Sequence, residues 1–158
     1  ISLGLISNTV LTYSDLITNR NTDYKFDLEK FTNVNGKTGV YIQYANVRAQ
    51  KLINDSTLEV SDFSILSKEL DNNDKSLLRS FIKFEFYFEQ TIKNNEPHHL
   101  ADYLYEISQK FNGMYQGINI LENENTVLKE NKLKITDLFL KYSNLLMECL
   151  GILPVKKM

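Results

Sequence analysis

Apolar side chains recur at every third or fourth position along most of this 158-residue chain. That is the 3.6-residue period of a helix buried on one side. Leu3, Ile6, Val10, Tyr13 and Ile17 set the spacing over residues 1–20. The polar run NRNTDYKFD breaks it with turn-forming residues. Asp27 to Phe31 adds a short turn of helix, and NVNG at 33–36 reads as a turn whose glycine tolerates a positive φ. Thr38 is placed to cap a helix that runs to about Ile53. On it Val40, Tyr44 and Val47 share one line, and Tyr41, Ala45 and Arg48 the next.

NDST and the serine-rich stretch to Ser67 read as a loop with a short helical piece. The strongest periodicity follows at Asp74 to Lys93, where Leu77, Leu78, Phe81, Ile82, Phe84, Phe88 and Ile92 form a broad apolar face. Phe84, Phe86 and Phe88 alternate as a strand would, but the length and polar flanks favour helix. NNEP ends it, and Pro97 suits the first turn of the next helix, to about Tyr115. INILENENTVLKENK reads as a polar connection. The last helix is expected over about Lys134 to Leu150, with Ile135, Leu138, Phe139, Tyr142, Leu145, Leu146, Cys149 and Leu150 on its face. Gly151 is placed to end it, and Pro154 prevents continuation. The pattern predicts an all-α fold, a helical bundle of roughly four to six helices.

Composition narrows the function. Six glycines and two prolines are too few for a turn-rich β fold. A formal net charge of -2 argues against a protein held to nucleic acid by a broad basic face. It leaves open the reading of a few unstacked bases. No apolar run approaches the roughly 20 residues of a bilayer span. The lone Cys149 rules out a disulfide framework, which suits a cytoplasmic location. The chain opens mid-pattern at Ile1 and reads as a fragment of a longer protein.

Catalytic chemistry is nearly absent from the pattern. No glycine-rich phosphate loop is present. His98 and His99 are neighbours, so on a helix they point about 100° apart and make a poor pair of metal ligands. They read as helix-start residues, one packed and one solvated. Cys149 lies in an apolar stripe and reads as a buried core residue rather than a nucleophile. Turn formation and helix-start electrostatics account for Asp23, Asp27 and Glu29.

Tyr41, Tyr44 and Arg48 carry two readings. As a bundle seam, the tyrosines are padding and Arg48 is a solvated flank; the spacing alone favours this. As a site, two stacking rings and a planar guanidinium within two helical turns can hold an unpaired nucleotide.

Five segments, in order, go further. VLTY, NR and DYKF lie in the first 26 residues; YIQYANVR occupies 41–48; HHLADYLYEI occupies 98–107; FNGMY occupies 111–115; and the chain ends CLGILPVKKM. Together they resemble the C-terminal part of arginyl-tRNA synthetases, closest to the eukaryotic cytosolic type. That family carries Y-x-x-Y-A-x-x-R, H-x-L-x-x-Y-L-Y-E-L and F-x-x-F/M-Y in these places and ends L-L-G-I-x-P-x-x-M. The likeness spans nearly the whole chain, and the ending is its most specific piece.

The resemblance implies the helical anticodon-binding (DALR-type) domain of a class I synthetase at residues 31–158, with residues 1–30 at the junction to an absent catalytic domain. The whole enzyme would ligate arginine to tRNA-Arg using ATP with magnesium; this fragment would hold no cofactor and catalyse nothing. Tyr41, Tyr44 and Arg48 match residues lining the anticodon pocket, and Met158 matches the terminal methionine that packs there. The family's basic residue in the first segment falls at Thr12, so no contact is expected from that position. The implied partners are the anticodon loop of tRNA-Arg and the catalytic domain of the same chain, in a monomeric, cytoplasmic enzyme without membrane contact. The rival reading is a helical protein-interaction domain with no RNA role. A third, the helical domain of the cysteine enzyme, is disfavoured by GILPVKKM.

Overall fold

The computed structural model describes residues 2–56, 70–117 and 119–158. Seven helical segments appear among them: α1 (Ser2–Leu16), α2 (Leu28–Thr32), α3 (Gly39–Asn54), α4 (Asn72–Phe81), α5 (Phe84–Asn94), α6 (His98–Gln116) and α7 (Thr126–Cys149). The all-α bundle is as expected. The pair α4 and α5 replaces one expected helix, so the expected elements number six. The loop expected up to Ser67 falls mostly on residues 57–69, outside the described residues.

Helix α6 is the central post, packed against α1, α3, α4, α5 and α7. Its buried face, Leu100, Tyr103, Leu104, Ile107, Phe111 and Met114, is the one its spacing predicts. Phe111 stacks on Phe139 of α7 with ring centres 4.3 Å apart. Tyr13 of α1 is fully buried and its hydroxyl donates to the Ala101 carbonyl at 2.9 Å. Burial of that hydroxyl raises its pKa far above the ordinary tyrosine value, so it remains a neutral donor.

Local signals set the start of α3. The Thr38 hydroxyl accepts from the Tyr41 N–H at 3.2 Å and donates to the Asn33 carbonyl at 2.6 Å. That is the predicted N-cap, tied back to the preceding turn. Gly36 in that turn does not use a positive φ; among the described glycines only Gly151 does, at 68°. Gly39 is needed for a different reason. A Cβ there would lie 2.7 Å from the Thr9 carbonyl oxygen, so α1 crosses α3 at backbone contact.

The expected helix over 74–93 breaks at Ile82–Lys83. The Tyr103 hydroxyl donates to the Ser80 carbonyl at 3.0 Å, while the Lys83 N–H reaches the same carbonyl at 3.1 Å in a tightened turn. A side chain engaging the helix ladder is a recognised cause of a kink. The apolar face is therefore split. Leu77 and Phe81 are buried, but Ile82 (82% exposed), Phe88 and Ile92 face outward, against expectation.

Helix α7 begins at Thr126, eight residues before the periodicity indicates, capped by Asn125, which accepts from the Leu128 N–H at 3.0 Å. The early turns hid from pattern reading because their inward positions are polar. Asn131, Lys132 and Lys134 are buried. The Lys132 ammonium bonds Asp74 at 2.6 Å and Asp71 at 2.9 Å, the two residues of the α4 capping box. Burial raises the Asp71 carboxyl, but bonds from the Asp74 N–H and from Lys132 outweigh it and hold the group below its ordinary value.

At the other end α7 closes as predicted. The Gly151 N–H reaches the Glu148 carbonyl at 3.0 Å and the Ile152 N–H reaches Met147 at 2.8 Å, a Schellman closure on a left-handed glycine. Cys149 is exposed, as is Leu145 one turn earlier, because none of the described elements covers that flank of α7. Both depart from the expected apolar face. The chain after Gly151 packs back on α3. Gln43 is fully buried; its amide donates to Thr9 Oγ1 and to the Leu153 carbonyl, both at 2.8 Å, and accepts from the Val155 N–H at 3.0 Å.

Candidate nucleic-acid interface

Helices α3 and α6 cross with a cleft along one flank. Its volume is about 370 Å³, within the range of small-ligand sites. Tyr41, Tyr44 and Arg48 line it from α3, Asn112 and Gln116 from α6, and Val34 and Asn35 from the turn before α3. Thr38 and Gly39 set the rotation and depth of α3, and so decide which residues meet α6.

The three side chains singled out on α3 are brought together. The guanidinium carbon of Arg48 lies 4.0 Å from the Tyr44 ring centre and 5.4 Å from that of Tyr115 on α6. One Arg48 nitrogen donates to Asn112 Oδ1 at 3.1 Å, and Asn112 itself is buried. The cation thus sits between two aromatic rings and is tethered at one edge, an arrangement that fixes a long side chain. A guanidinium has five N–H donors, and Asn112 takes one.

Tyr41 is half-buried, with its ring centre 5.3 Å from that of Tyr105 on α6. Burial, then the neighbouring Tyr41, raises the Tyr105 hydroxyl above the ordinary tyrosine value. Tyr44 keeps 39% of its surface exposed, so its ring remains open for stacking beside the cleft. Val40 is buried and Val47 half-buried, as the pattern predicted for the core side of α3.

Met158 does not join them. It is 42% exposed and absent from the cleft lining. The tail beyond Val155 is committed by Gln43 to another flank of α3, where Asn46, Gln50 and Asn54 border a separate cleft with Pro154 and Lys156.

Reading the pattern missed Tyr105, Asn112, Tyr115 and Gln116 as site residues. Tyr105, Asn112 and Tyr115 each lie one position after a core residue, Leu104, Phe111 and Met114, and Gln116 lies two after Met114. The signal that could have found them is the line Asn112, Tyr115, Gln116 at i, i+3, i+4 beside the apolar stripe. The histidine pair also departs from expectation. The rings of His98 and His99 lie with centres 4.1 Å apart rather than diverging, and Glu96 joins them. No described helix is long and apolar enough to cross a membrane.

The family model for the DALR anticodon binding domain matches residues 42–158. An arginine--tRNA ligase of Pasteurella multocida is 36% identical over 147 residues, covering 92% of this chain and 26% of that protein. The arginyl-tRNA synthetase structure of Plasmodium falciparum superimposes with a TM-score of 0.83 at 30% identity, covering 98% of this chain and 27% of that one. The Thermus thermophilus arginyl-tRNA synthetase shares the fold, with a TM-score of 0.86 at 19% identity, 98% of this chain and 27% of that one being covered. The chain thus spans about a quarter of the length of the curated relatives it matches.

Proposed function

The chain belongs to the DALR anticodon binding domain family, and we propose that it reads the anticodon loop of an arginine tRNA on behalf of an arginyl-tRNA synthetase. In that reading the whole protein ligates arginine to the tRNA using ATP and magnesium, with the chemistry performed by a catalytic domain of the same chain. Residues 1–30 serve as the junction with that domain and residues 31–158 as the reading domain, in a monomeric cytoplasmic enzyme. With a bacterial relative at 36% identity and the Plasmodium falciparum structure at 30%, the comparisons support the arginyl-tRNA synthetase family and do not favour its eukaryotic cytosolic type.

One observation carries the proposal. Arg48 is clamped between Tyr44 and Tyr115 and tethered to Asn112, at the edge of a cleft sized for a small flat ligand. An unpaired base needs a stacking face and donors for its edge, and this cluster offers both. Stacking contributes on the order of 1–3 kcal/mol per base without a basic surface, which reconciles RNA binding with a net charge of -2. In this account Tyr44 stacks on a base, Arg48 reads its edge or a phosphate, and Tyr41 closes the far side. Met158, on the exposed tail, meets the loop from outside the cleft.

The test is a chemical-shift titration of the chain with a tRNA-Arg anticodon stem-loop. Shifts gathered on Tyr41, Tyr44, Arg48, Asn112 and the Met158 methyl are expected. Silence across α3 at saturating RNA sinks the proposal. The alternative, a protein-interaction domain, is favoured by the outward apolar side chains of the α4–α5 break and α5, where Ile82, Phe86 and Ile92 are 82%, 59% and 61% exposed.

A further inference from the structure

The joint between α5 and α6 gathers three side chains that the proposed RNA site does not use. Asn95 takes a left-handed conformation, φ 52°, and the Glu96 N–H reaches back to the Thr91 carbonyl at 3.1 Å, which closes α5. Pro97 then leads directly into α6. On this turn Glu96, His98 and His99 converge. Nε2 of His99 lies 3.0 Å from Oε2 of Glu96, and one ligand atom from each of the three residues falls within 4.8 Å of the others. A second feature sets the cluster apart from an ordinary helix start. Nδ1 of His98 is buried and has no hydrogen-bond partner, an uncommon state for a buried polar atom.

We propose that Glu96, His98 and His99 form a binding site for a divalent transition-metal ion of the zinc class. Two imidazoles and one carboxylate are ligands that zinc takes at about 2.0–2.2 Å, which places neighbouring ligand atoms roughly 3 Å apart. The Glu96–His99 pair already has that separation. The His98 ligand atom, within 4.8 Å of the other two, has to draw closer to complete the set, and the His99 and Glu96 side chains, 27% and 21% exposed, are open to an ion arriving from solvent. Nitrogen donors select against magnesium and calcium, which prefer all-oxygen sets. Three protein ligands leave a fourth position for water. The bound ion ties the closing turn of α5 to the first turn of α6, so it holds the outward-facing α5 against the central post.

The experiment uses the untagged chain with Cys149→Ser, which removes the exposed thiol as a competing ligand. Zinc is titrated by calorimetry, and cobalt by visible absorption as a spectroscopic stand-in. One saturable equivalent is expected, together with a rise in Tm on adding zinc, because binding to the folded state alone stabilises it. His98→Gln and Glu96→Gln should each weaken zinc on the order of tenfold or more, by analogy with lost ligand support, while helix content by circular dichroism stays constant. Should a variant fold poorly, nitrogen NMR of the parent decides: zinc must shift ring nitrogens of both histidines. Absence of a saturable equivalent at millimolar zinc, unchanged affinity in His98→Gln, or unmoved histidine rings overturns the site.

Discussion

The guanidinium of Arg48 lies 4.0 Å from the centre of the Tyr44 ring, one helical turn before it on α3. That pairing joins a donor array to a stacking surface, and Asn112 and Tyr115 hold it from α6. Arg48→Lys keeps the charge but loses the planar fork and the stack. Anticodon stem-loop affinity should fall by about 1–2 kcal/mol, roughly 5- to 30-fold, with little change in Tm. Fluorescence anisotropy with a labelled stem-loop checks it; unchanged affinity in the lysine variant removes Arg48 from the reading.

Asn112 is predicted to act through Arg48 rather than by touching RNA. Asn112→Ala frees the guanidinium on one side, so affinity should drop less than in Arg48→Ala. The double variant should be no weaker than Arg48→Ala alone, since coupled residues are not additive. Additive losses in that double-mutant cycle would show that Asn112 makes a contact of its own.

Gly39 is predicted to tolerate nothing larger. A methyl group there meets the Thr9 backbone oxygen at 2.7 Å and its side chain at 2.8 Å. Backbone cannot swing aside as a flexible side chain can, so Gly39→Ala should cost about 1–3 kcal/mol by overpacking. Urea unfolding measures it, and a destabilisation within error of zero would mean that α1 shifts freely over α3.

Lys132 is predicted to be the costliest polar residue to remove. Lys132→Ala leaves Asp74, fully buried, without its cation, a change worth about 3–5 kcal/mol. Asp71 of this cluster, together with Glu106 on α6, gives an acid dependence. Asp71 has a folded pKa below its ordinary value of 3.8, and Glu106, hydrogen-bonded by Lys110 and Lys83, lies below its ordinary 4.5. Lowered carboxylates contribute stability that is fully present above their unfolded values. That stability is lost as pH falls through the folded ones. Stability should therefore be flat from neutrality to about pH 5 and decline below about pH 4, with a shallower decline in Asp71→Asn. An equally steep acid limb in Asp71→Asn would assign the effect elsewhere.

The helices that could be read from sequence are those whose buried faces are mainly apolar. α3 and α6 show their period openly, and Thr38 and Gly151 mark two of the ends. The first turns of α7 were illegible because Asn131, Lys132 and Lys134 occupy inward positions, and Lys132 is satisfied by Asp71 and Asp74, far away in sequence. The break between α4 and α5 depends on Tyr103, some twenty residues later, and no local pattern announces it. Within the site, periodicity favoured a seam for Tyr41 and Tyr44; the segment likeness pointed instead to a pocket. Both descriptions fit part of the geometry, since Tyr41 packs on Tyr105 while lining the cleft. The four α6 residues of the site were hidden beside a strong apolar stripe.

Binding to an open loop against a closed one tests the central claim most directly. Anisotropy is measured for this chain with a tRNA-Arg anticodon stem-loop and with the same stem capped by a fully paired end, at equal salt. The account predicts a preference of about tenfold or more for the unpaired loop, as expected when one or two bases stack, and its disappearance in Tyr44→Ala with Arg48→Ala. Equal affinity for the two RNAs, or a preference that survives the double substitution, would contradict it.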